Sequence, residues 1–301
     1  MTRFEQMELV NKFKRLPGLG GQEGQNILDA QLHISIEQDV GFLIAAMDSL
    51  GIRSALLDEL WGFDENGIPQ PHVILRNGSY RPQSALALAA SLQYPDRFSF
   101  MQRVNRLDPQ LAELLAILAS TPSCRAIRIT LLNDDERNRF TTGDWDNVLQ
   151  LAQLHEFPVC IYTRDAGDFV SYVAKKYVGL QFVVDHCGLP RNFEQWQLVL
   201  GLARFPNVWL KWSHASRSFR RFSDSSESQN REFLRAVGAF GPDRVLWASD
   251  ASHEESDATW PELLAFVQDN AFLSPSDRDW VLGGSARRLF RWKAQCSKGN
   301  Q

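Results

Sequence analysis

Residues 159–190, VCIYTRDAGDFVSYVAKKYVGLQFVVDHCGLP, contain the pattern that decides the fold. Residues 159–163 are an apolar run rich in β-branched side chains, which predicts a short buried strand. Residues 167–177 carry apolar side chains at helical spacing, and residues 181–186 form a second apolar run. Two strands on either side of a helix are typical of a βαβ unit, in which the strands run parallel.

The same alternation extends over most of the chain. The eight predicted strands are residues 27–33, 53–58, 98–105, 126–131, 159–163, 181–186, 208–213 and 244–250. The predicted helices are residues 40–50, 110–120, 144–155, 167–177, 193–205, 227–240 and 259–268. Eight strands that alternate with helices predict an α/β fold, a (β/α)8 TIM barrel. An open doubly wound sheet is the alternative, and it is disfavoured because no glycine-rich phosphate loop follows the first strand.

The length of 301 residues suits a single barrel domain with two flanking segments. We predict an N-terminal extension over residues 1–26, the barrel over residues 27–292 and a C-terminal tail over residues 293–301. The connection after strand two, residues 59–97, is too long for a simple loop. It predicts a distorted barrel with an insertion at that point, and such loops commonly form lids or substrate walls.

Composition and charge exclude several classes of function. Hydrophobic residues make up 44% of the chain and charged residues 23%, and the formal net charge is -4. These values are typical of a soluble globular protein and provide no basic face for nucleic acid. The first residues lack the apolar core of a secretory signal, and no run is long enough to span a membrane. We therefore expect a cytoplasmic protein without nucleic-acid or membrane partners.

Cysteine usage and chain length give two further expectations. The four cysteines are scattered and form no CxxC pair, so we expect buried thiols rather than a zinc ribbon. A homodimer is the default oligomeric state for an enzyme of this size.

Polar side chains are concentrated at the C-terminal ends of the predicted strands, where a barrel carries its active site. In chain order they are Gln31, His33, Arg128, Tyr162, Arg164, His186, Lys211, Asp250 and His253. Three further histidines, His72, His155 and His214, are assigned to no site, because an isolated histidine is more often a surface or core residue.

Several motifs occur at these strand ends in a fixed order. They are DAQLH at 29–33, CRAIRI at 124–129, VVDHCGLP at 183–190, VWLKWS at 208–213, WASD at 247–250 and VLGGSARRLFRW at 281–292. Together they resemble the amidohydrolase superfamily, and within it the amidohydrolase-related branch, which includes TIM-barrel lactonases such as pyrone-dicarboxylate lactonases and some metal-dependent decarboxylases. The resemblance covers about residues 27 to 292.

The resemblance implies a His-x-His pair on strand one, a histidine after strand five or six and an aspartate after strand eight, gathered around a divalent metal or a substrate carbonyl. In this chain Gln31 replaces the first histidine of the pair, and Tyr162 and Thr163 occupy the strand-five position. A glutamine amide is a poor substitute for imidazole as a metal ligand. The resemblance therefore implies either no metal or one weakly bound divalent ion, zinc or manganese, held by His33, His186 and Asp250.

The leading hypothesis is hydrolysis of a small carboxylated lactone or a related ester or amide. Asp250 is the predicted general base, and His33 and His186 would polarise the carbonyl. The predicted substrate-binding residues are Gln31, Arg128, Tyr162, Arg164, Lys211 and His253. Arg217, Arg220 and Arg221 either add to this set or form a solvated face. The alternatives are a metal-dependent decarboxylase of the same family and a non-catalytic ligand-binding barrel that has lost its metal site.

Overall fold

The computed structural model describes residues 26–131, 133–219, 226–251 and 258–292. Except for Asn26, the predicted N-terminal extension lies outside these ranges, and so do the predicted tail and His253. Within the described ranges, no helix is both long enough and apolar enough to cross a membrane.

Eight parallel strands form the barrel. They are β1 Ile27–Ile34, β2 Ile52–Glu59, β3 Phe98–Arg103, β4 Cys124–Leu131, β5 Val159–Thr163, β6 Phe182–Val184, β7 Val208–Trp212 and β8 Val245–Trp247. Each strand pairs with the next one along the chain. After β8, the backbone N–H of Asp250 donates to the carbonyl of Gln31 at 2.9 Å, which brings the last strand back to the first. The predicted (β/α)8 barrel and its eight strands are confirmed.

Helices connect the strands on the outside. They are α1 Val40–Leu50, α2 Ala85–Gln93, α3 Leu111–Ala119, α4 Asp134–Thr142, α5 Asp146–Leu154, α6 Ala166–Lys176, α7 Phe193–Leu200, α8 Ala215–Phe219, α9 Ser226–Phe240, α10 Trp260–Gln268, α11 Pro275–Asp279 and α12 Ser285–Leu289. The bounds of α1 illustrate how local sequence sets where a helix begins and ends. It begins where the side chain of Asp39 accepts from the N–H of Gly41, and it ends at Gly51, whose φ of 72° suits glycine.

The insertion after β2 is shorter than predicted, because residues 59–97 also contain the crossover helix α2. The remainder forms two small antiparallel hairpins, Gly62–Phe63 with Pro69–Gln70 and His72–Ile74 with Tyr80–Pro82. Arg81 binds Asp108 in the loop after β3 through two hydrogen bonds of 2.5 and 2.7 Å. This bidentate pair fixes the second hairpin to the barrel.

The lower half of the barrel interior, on the side away from the C-terminal ends of the strands, is apolar. Leu28, Leu56, Met101, Val183 and Leu246 fill it with smaller neighbours, and all are buried. The same cluster includes residues from α12 and the turn after it, among them Phe290 and Trp292. The C-terminal end of the described chain therefore plugs the bottom of the barrel, and the polar residues of the strands lie above it.

The described cysteines agree with the sequence-based expectation. Cys124, Cys160 and Cys187 are buried free thiols. Cys296 lies outside the described residues.

One glycine, Gly283, allows this C-terminal segment to pack closely against the start of β1. A Cβ on Gly283 would lie 2.3 Å from the carbonyl oxygen of Asn26 and 3.2 Å from the amide nitrogen of Leu28, so the backbone at the start of β1 would have to move. We expect Gly283→Ala to lower the free energy of unfolding by about 1–3 kcal/mol. Gly238 on α9 has open space around its Cβ position, and Gly238→Ala should instead raise that free energy by up to about 1 kcal/mol. Urea unfolding of both variants tests the contrast, and equal stability of the two would disprove the close approach.

Candidate active site

Five buried side chains form a closed ring of hydrogen bonds and ion pairs inside the barrel, toward the C-terminal ends of the strands. Asp58 binds Arg128, whose Nε donates to Asp185 at 2.8 Å. Asp185 lies 2.8 Å from Nζ of Lys211, and Lys211 donates to Oε1 of Gln31 at 2.9 Å. The amide of Gln31 donates back to Asp58 at 3.4 Å. This ring will be called the charged ring.

Arg103 on β3 joins the charged ring from the side of Asp58. Its guanidinium donates to both carboxylate oxygens of Asp58, at 2.8 and 2.6 Å. Burial alone would raise the pKa of Asp58, but the charges of Arg103 and Arg128 outweigh burial and hold that pKa well below its ordinary value. Buried charges are tolerated here because each has an opposite charge within hydrogen-bonding distance.

The charged ring corrects two predicted substrate-binding residues. Gln31 and Lys211 are fully buried and bind other members of the ring. Neither side chain lines the cavity above it. Arg128 belongs to the ring and also lines the cavity.

Above the charged ring, the carboxylate of Asp250 lies among three imidazoles. Its Oδ1 is 3.0 Å from Nε2 of His33, and its Oδ2 contacts Nε2 of His214. Nε2 of His186 lies 4.0 Å from the same Oδ2. The three residues predicted to be catalytic, His33, His186 and Asp250, are therefore brought together.

His214 was wrongly left out of the predicted site. It lies two residues after the end of β7, packs edge-on against the ring of His186 at 4.7 Å between centroids, and contacts Asp250. Its position after a strand in the motif WSHAS was the signal that could have identified it, because the first residues after barrel strands reach the active site.

The two predicted histidines have their other ring nitrogen fixed. Nδ1 of His33 is 3.0 Å from the carbonyl oxygen of Asp58, which can only accept, so His33 donates there and Nε2 faces the site. Nδ1 of His186 is 2.8 Å from Oγ of Ser213. Nη2 of Arg128, which can only donate, lies 3.1 Å from Nε2 of His186. In this arrangement Nε2 of His186 carries a lone pair rather than a proton.

The charge state of the cluster follows from burial and pairing. Burial alone would raise the pKa of Asp250, but the charges of His33 and His186 and the hydrogen bond from His214 outweigh it and hold the pKa well below its ordinary value. Burial lowers the pKa of His186 far below its usual range. Burial would also lower the pKa of His33, but the neighbouring Asp250 carboxylate raises it. The site therefore contains an ionised Asp250 paired with His33, next to a neutral His186.

Three residues of this cluster have a strained backbone. His186, His214 and Asp250 have φ angles of 52°, 48° and 52°, in the left-handed region that non-glycine residues rarely adopt. Each such residue costs about 1–2 kcal/mol. Strain of this kind persists where the surrounding structure enforces it and is common at functional sites. Here it turns three side chains toward one point.

A cavity of about 310 Å³ opens above Asp250. Its lining residues are His33, Leu60, Phe63, Arg103, Arg128, Tyr162, Arg164, His186, Leu189, Pro190, His214, Arg217, Ser218 and Asp250. The predicted positions of Tyr162 and Arg164 in the site are supported. Arg217 belongs to the cavity wall, whereas Arg220, Arg221 and His253 lie outside the described residues. Phe63 comes from the insertion, which therefore forms part of the wall.

The cluster also has the composition of a metal site. The ligand atoms of His186, His214 and Asp250 all lie within 4.8 Å of one another. Two imidazoles and one carboxylate are a donor set that suits zinc, and a catalytic zinc site commonly has three protein ligands. The predicted ligand set contained His33 in place of His214.

The sequence profile of the amidohydrolase family matches residues 29–292, which include every residue of the cluster and the charged ring. The chain belongs to the amidohydrolase family. It is an enzyme of that family by fold and by the extent of the match. No curated protein matches the chain.

Solved structures share the barrel at low sequence identity. An amidohydrolase of Burkholderia multivorans is 18% identical, with a TM-score of 0.70 over 88% of this chain and 99% of its own. A protein of Pseudomonas putida assigned as a 2-pyrone-4,6-dicarboxylic acid hydrolase is 21% identical, with a TM-score of 0.63 over 89% of this chain and 98% of its own. A 5-carboxyvanillate decarboxylase of Novosphingobium aromaticivorans, complexed with manganese, is 15% identical, with a TM-score of 0.64 over 90% and 97% of the two chains. The Burkholderia protein also has a zinc-bound form.

Proposed function

We propose that the enzyme hydrolyses a small carboxylated lactone or a related ester, with Asp250 as the general base. The observation that supports this function is the ionised carboxylate of Asp250 at the floor of a cavity whose wall carries four arginines. A buried carboxylate between two imidazoles can accept a proton from water, and arginines match the carboxylates of a substrate.

The reaction requires one proton to move twice. The oxygen of a water molecule forms a bond with the carbonyl carbon while Asp250 accepts the proton of the water. The carbonyl electrons move to the carbonyl oxygen, and when the double bond reforms the ring C–O bond breaks. The alkoxide that leaves takes the proton back from Asp250, which gives a hydroxy acid. His33 and His214 hold the Asp250 carboxylate in place through its two oxygens.

The carbonyl oxygen needs a positive partner during this step. His186 was predicted to supply it, but a donor role requires a proton on Nε2, where the structure has the donor Arg128 at 3.1 Å. We therefore assign the polarisation to Arg128, whose charge is fixed by Asp58 and Asp185 in the charged ring.

A divalent cation, zinc or manganese, would be held by His186, His214 and Asp250, and it would supply Lewis-acid polarisation of the carbonyl. Structural relatives crystallised with zinc or manganese are compatible with such a group.

Substrate carboxylates are expected to bind at the mouth of the cavity rather than at its floor. Arg103 and Arg128 already bind carboxylates of the protein, whereas Arg164 is exposed on the cavity wall. We expect Arg164→Met to raise KM for a carboxylated lactone by about 10- to 100-fold, because a charged hydrogen bond is lost, with little change in kcat. An uncharged lactone should react unchanged. Arg204→Met, before the N-terminal end of β7, is the matched control, and an equal effect of both variants would refute the assignment.

The test of the function is a panel of γ- and δ-lactones, with and without carboxylate groups, followed by acid release and by release of CO2. Acid release without CO2 supports hydrolysis. Release of CO2 from a carboxylated substrate would establish the decarboxylase alternative instead. Tight binding of panel members without turnover would indicate the non-catalytic barrel.

A further inference from the structure

We infer that Asp29 on β1 is a positioning residue, which holds Asp250 in its strained backbone conformation. Asp29 is fully buried and does not line the cavity, so any effect on the reaction must pass through Asp250. The kinetic consequence rests on the proposed function, in which Asp250 is the general base. The placement of Asp250 does not depend on that function and can be measured without a substrate.

The carboxylate of Asp29 accepts hydrogen bonds from four donors, two at each oxygen. Oδ1 accepts from the backbone N–H groups of Ser249 at 3.0 Å and of Gln31 at 3.2 Å. Oδ2 accepts from the hydroxyl of Ser249, and from Nε1 of Trp260 at 3.0 Å. Burial raises the pKa of Asp29 to about 6, so the group is still ionised at neutral pH. Both oxygens of an ionised carboxylate accept and neither carries a proton, which this set of donors requires.

These hydrogen bonds fix the chain on both sides of Asp250. Ser249 is bound twice by Asp29, and its hydroxyl oxygen in turn accepts from the backbone N–H of Ala251 at 3.0 Å. The N–H of Asp250 itself donates to the carbonyl of Gln31 at 2.9 Å. The φ of 52° at Asp250 is a conformation that persists where the surrounding structure enforces it. The contacts of Asp29 supply that enforcement.

Asparagine cannot replace Asp29 in either orientation of its amide. If the NH2 group takes the place of Oδ1, it faces the N–H groups of Ser249 and Gln31. If it takes the place of Oδ2, it faces the hydroxyl of Ser249 and the indole N–H of Trp260, the first residue of α10. Asp29→Asn therefore leaves buried donors without an acceptor, which is costly.

Hydrogen exchange of the full-length protein, followed residue by residue by NMR, tests the inference. The N–H groups of Ser249, Asp250 and Ala251 report on local opening. Those of Ile127 on β4 and Val159 on β5 report on the barrel as a whole. We expect Asp29→Asn to speed exchange at the first three by about 10- to 100-fold more than at the other two, because only the segment around Asp250 is released.

Ser249→Ala is a milder second variant, which keeps the test valid if Asp29→Asn fails to fold. It removes the hydroxyl that links Asp29 to Ala251, and it should give the same local pattern at a smaller size. Ser285→Ala is the matched control. Ser285 is also buried, and its hydroxyl donates to the carbonyl of Pro242 at 2.8 Å, before the N-terminal end of β8. The control should not speed exchange selectively at residues 249–251, and an equally unselective change in the two other variants would overturn the inference.

Turnover of a lactone found in the panel gives an independent measurement. A misplacement of about 1 Å costs about 100-fold in rate, so Asp29→Asn should lower kcat by about that factor and leave KM nearly unchanged. Added to Asp250→Asn, it should lower kcat no further, because the two residues act as a unit. A full further loss in the double variant would also overturn the inference. Full turnover by Asp250→Asn would instead refute the proposed base and leave the exchange result intact.

Discussion

Asp250→Asn is expected to lower kcat by about 10²- to 10⁴-fold, the range that a positioned general base contributes. Asparagine keeps the shape of the side chain and can still contact His33 and His214. It cannot take the proton of the attacking water, because the amide has no basic oxygen of comparable strength. KM for a lactone found in the panel should change little, since Asp250 acts on water and not on the substrate carboxylate.

The measurement is steady-state kinetics on the best substrate of the panel, together with thermal unfolding to confirm the fold. Asp243→Asn is the control, because Asp243 lies in the turn before β8, at the opposite end of that strand, and pairs with Arg288 at the surface. Asp243→Asn should react as the wild type does. Full turnover by Asp250→Asn would remove Asp250 as the base and with it the proposed mechanism.

Asp58→Asn is expected to lower the free energy of unfolding by about 3–5 kcal/mol, the loss that follows removal of one partner from a buried ion pair. Asp58 accepts from Arg103, Arg128 and Gln31, and its carboxylate is fully buried. The variant would leave two guanidinium groups in the barrel with a single remaining carboxylate, that of Asp185. Destabilisation should also affect the site, because Arg128 contacts His186.

Urea unfolding monitored by tryptophan fluorescence measures this effect. Asp134→Asn is the matched control, since Asp134 also pairs with an arginine, Arg137, but lies exposed at the start of α4, where ion pairs contribute little. The control should unfold as the wild type does. A stability loss in Asp58→Asn no larger than in Asp134→Asn would mean that the charged ring does not hold the barrel together.

The barrel could be predicted from sequence because its strands are buried on both sides, so that β6 (FVV) and β8 (VLW) are wholly apolar and most side chains of the other strands are apolar too. Helix α1 was predicted at its observed bounds, and the structure shows a capping aspartate, Asp39, before it and a glycine, Gly51, after it. α4, DDERNRFTT, was missed because it is polar on nearly all faces and its only buried side chain is Phe140. Apolar periodicity carries no signal for a helix of this kind.

The candidate site was predictable in part for a comparable reason. His33 lies near the end of β1, and His186 and Asp250 follow β6 and β8, so chain position alone brings them together. The partners of Gln31 and Lys211 were not predictable. A polar side chain near the end of a strand can point into the cavity or bind another side chain inside the barrel, and the sequence does not distinguish the two. Arg103 was missed for the same reason, since its contact with Asp58 joins residues 45 positions apart in the chain.

Closure of the barrel has a consequence for the order of events during synthesis. Asp29 on β1 accepts from the backbone N–H of Ser249, 220 residues later, and the interior beneath β1 is sealed by Phe290 and Trp292. The first strand therefore has one unsatisfied edge until nearly the whole barrel has left the ribosome. Contacts of such long sequence separation form late and slowly. A nascent chain of this enzyme consequently exposes an open β edge for most of its translation, and such an edge can pair with other chains until the barrel closes.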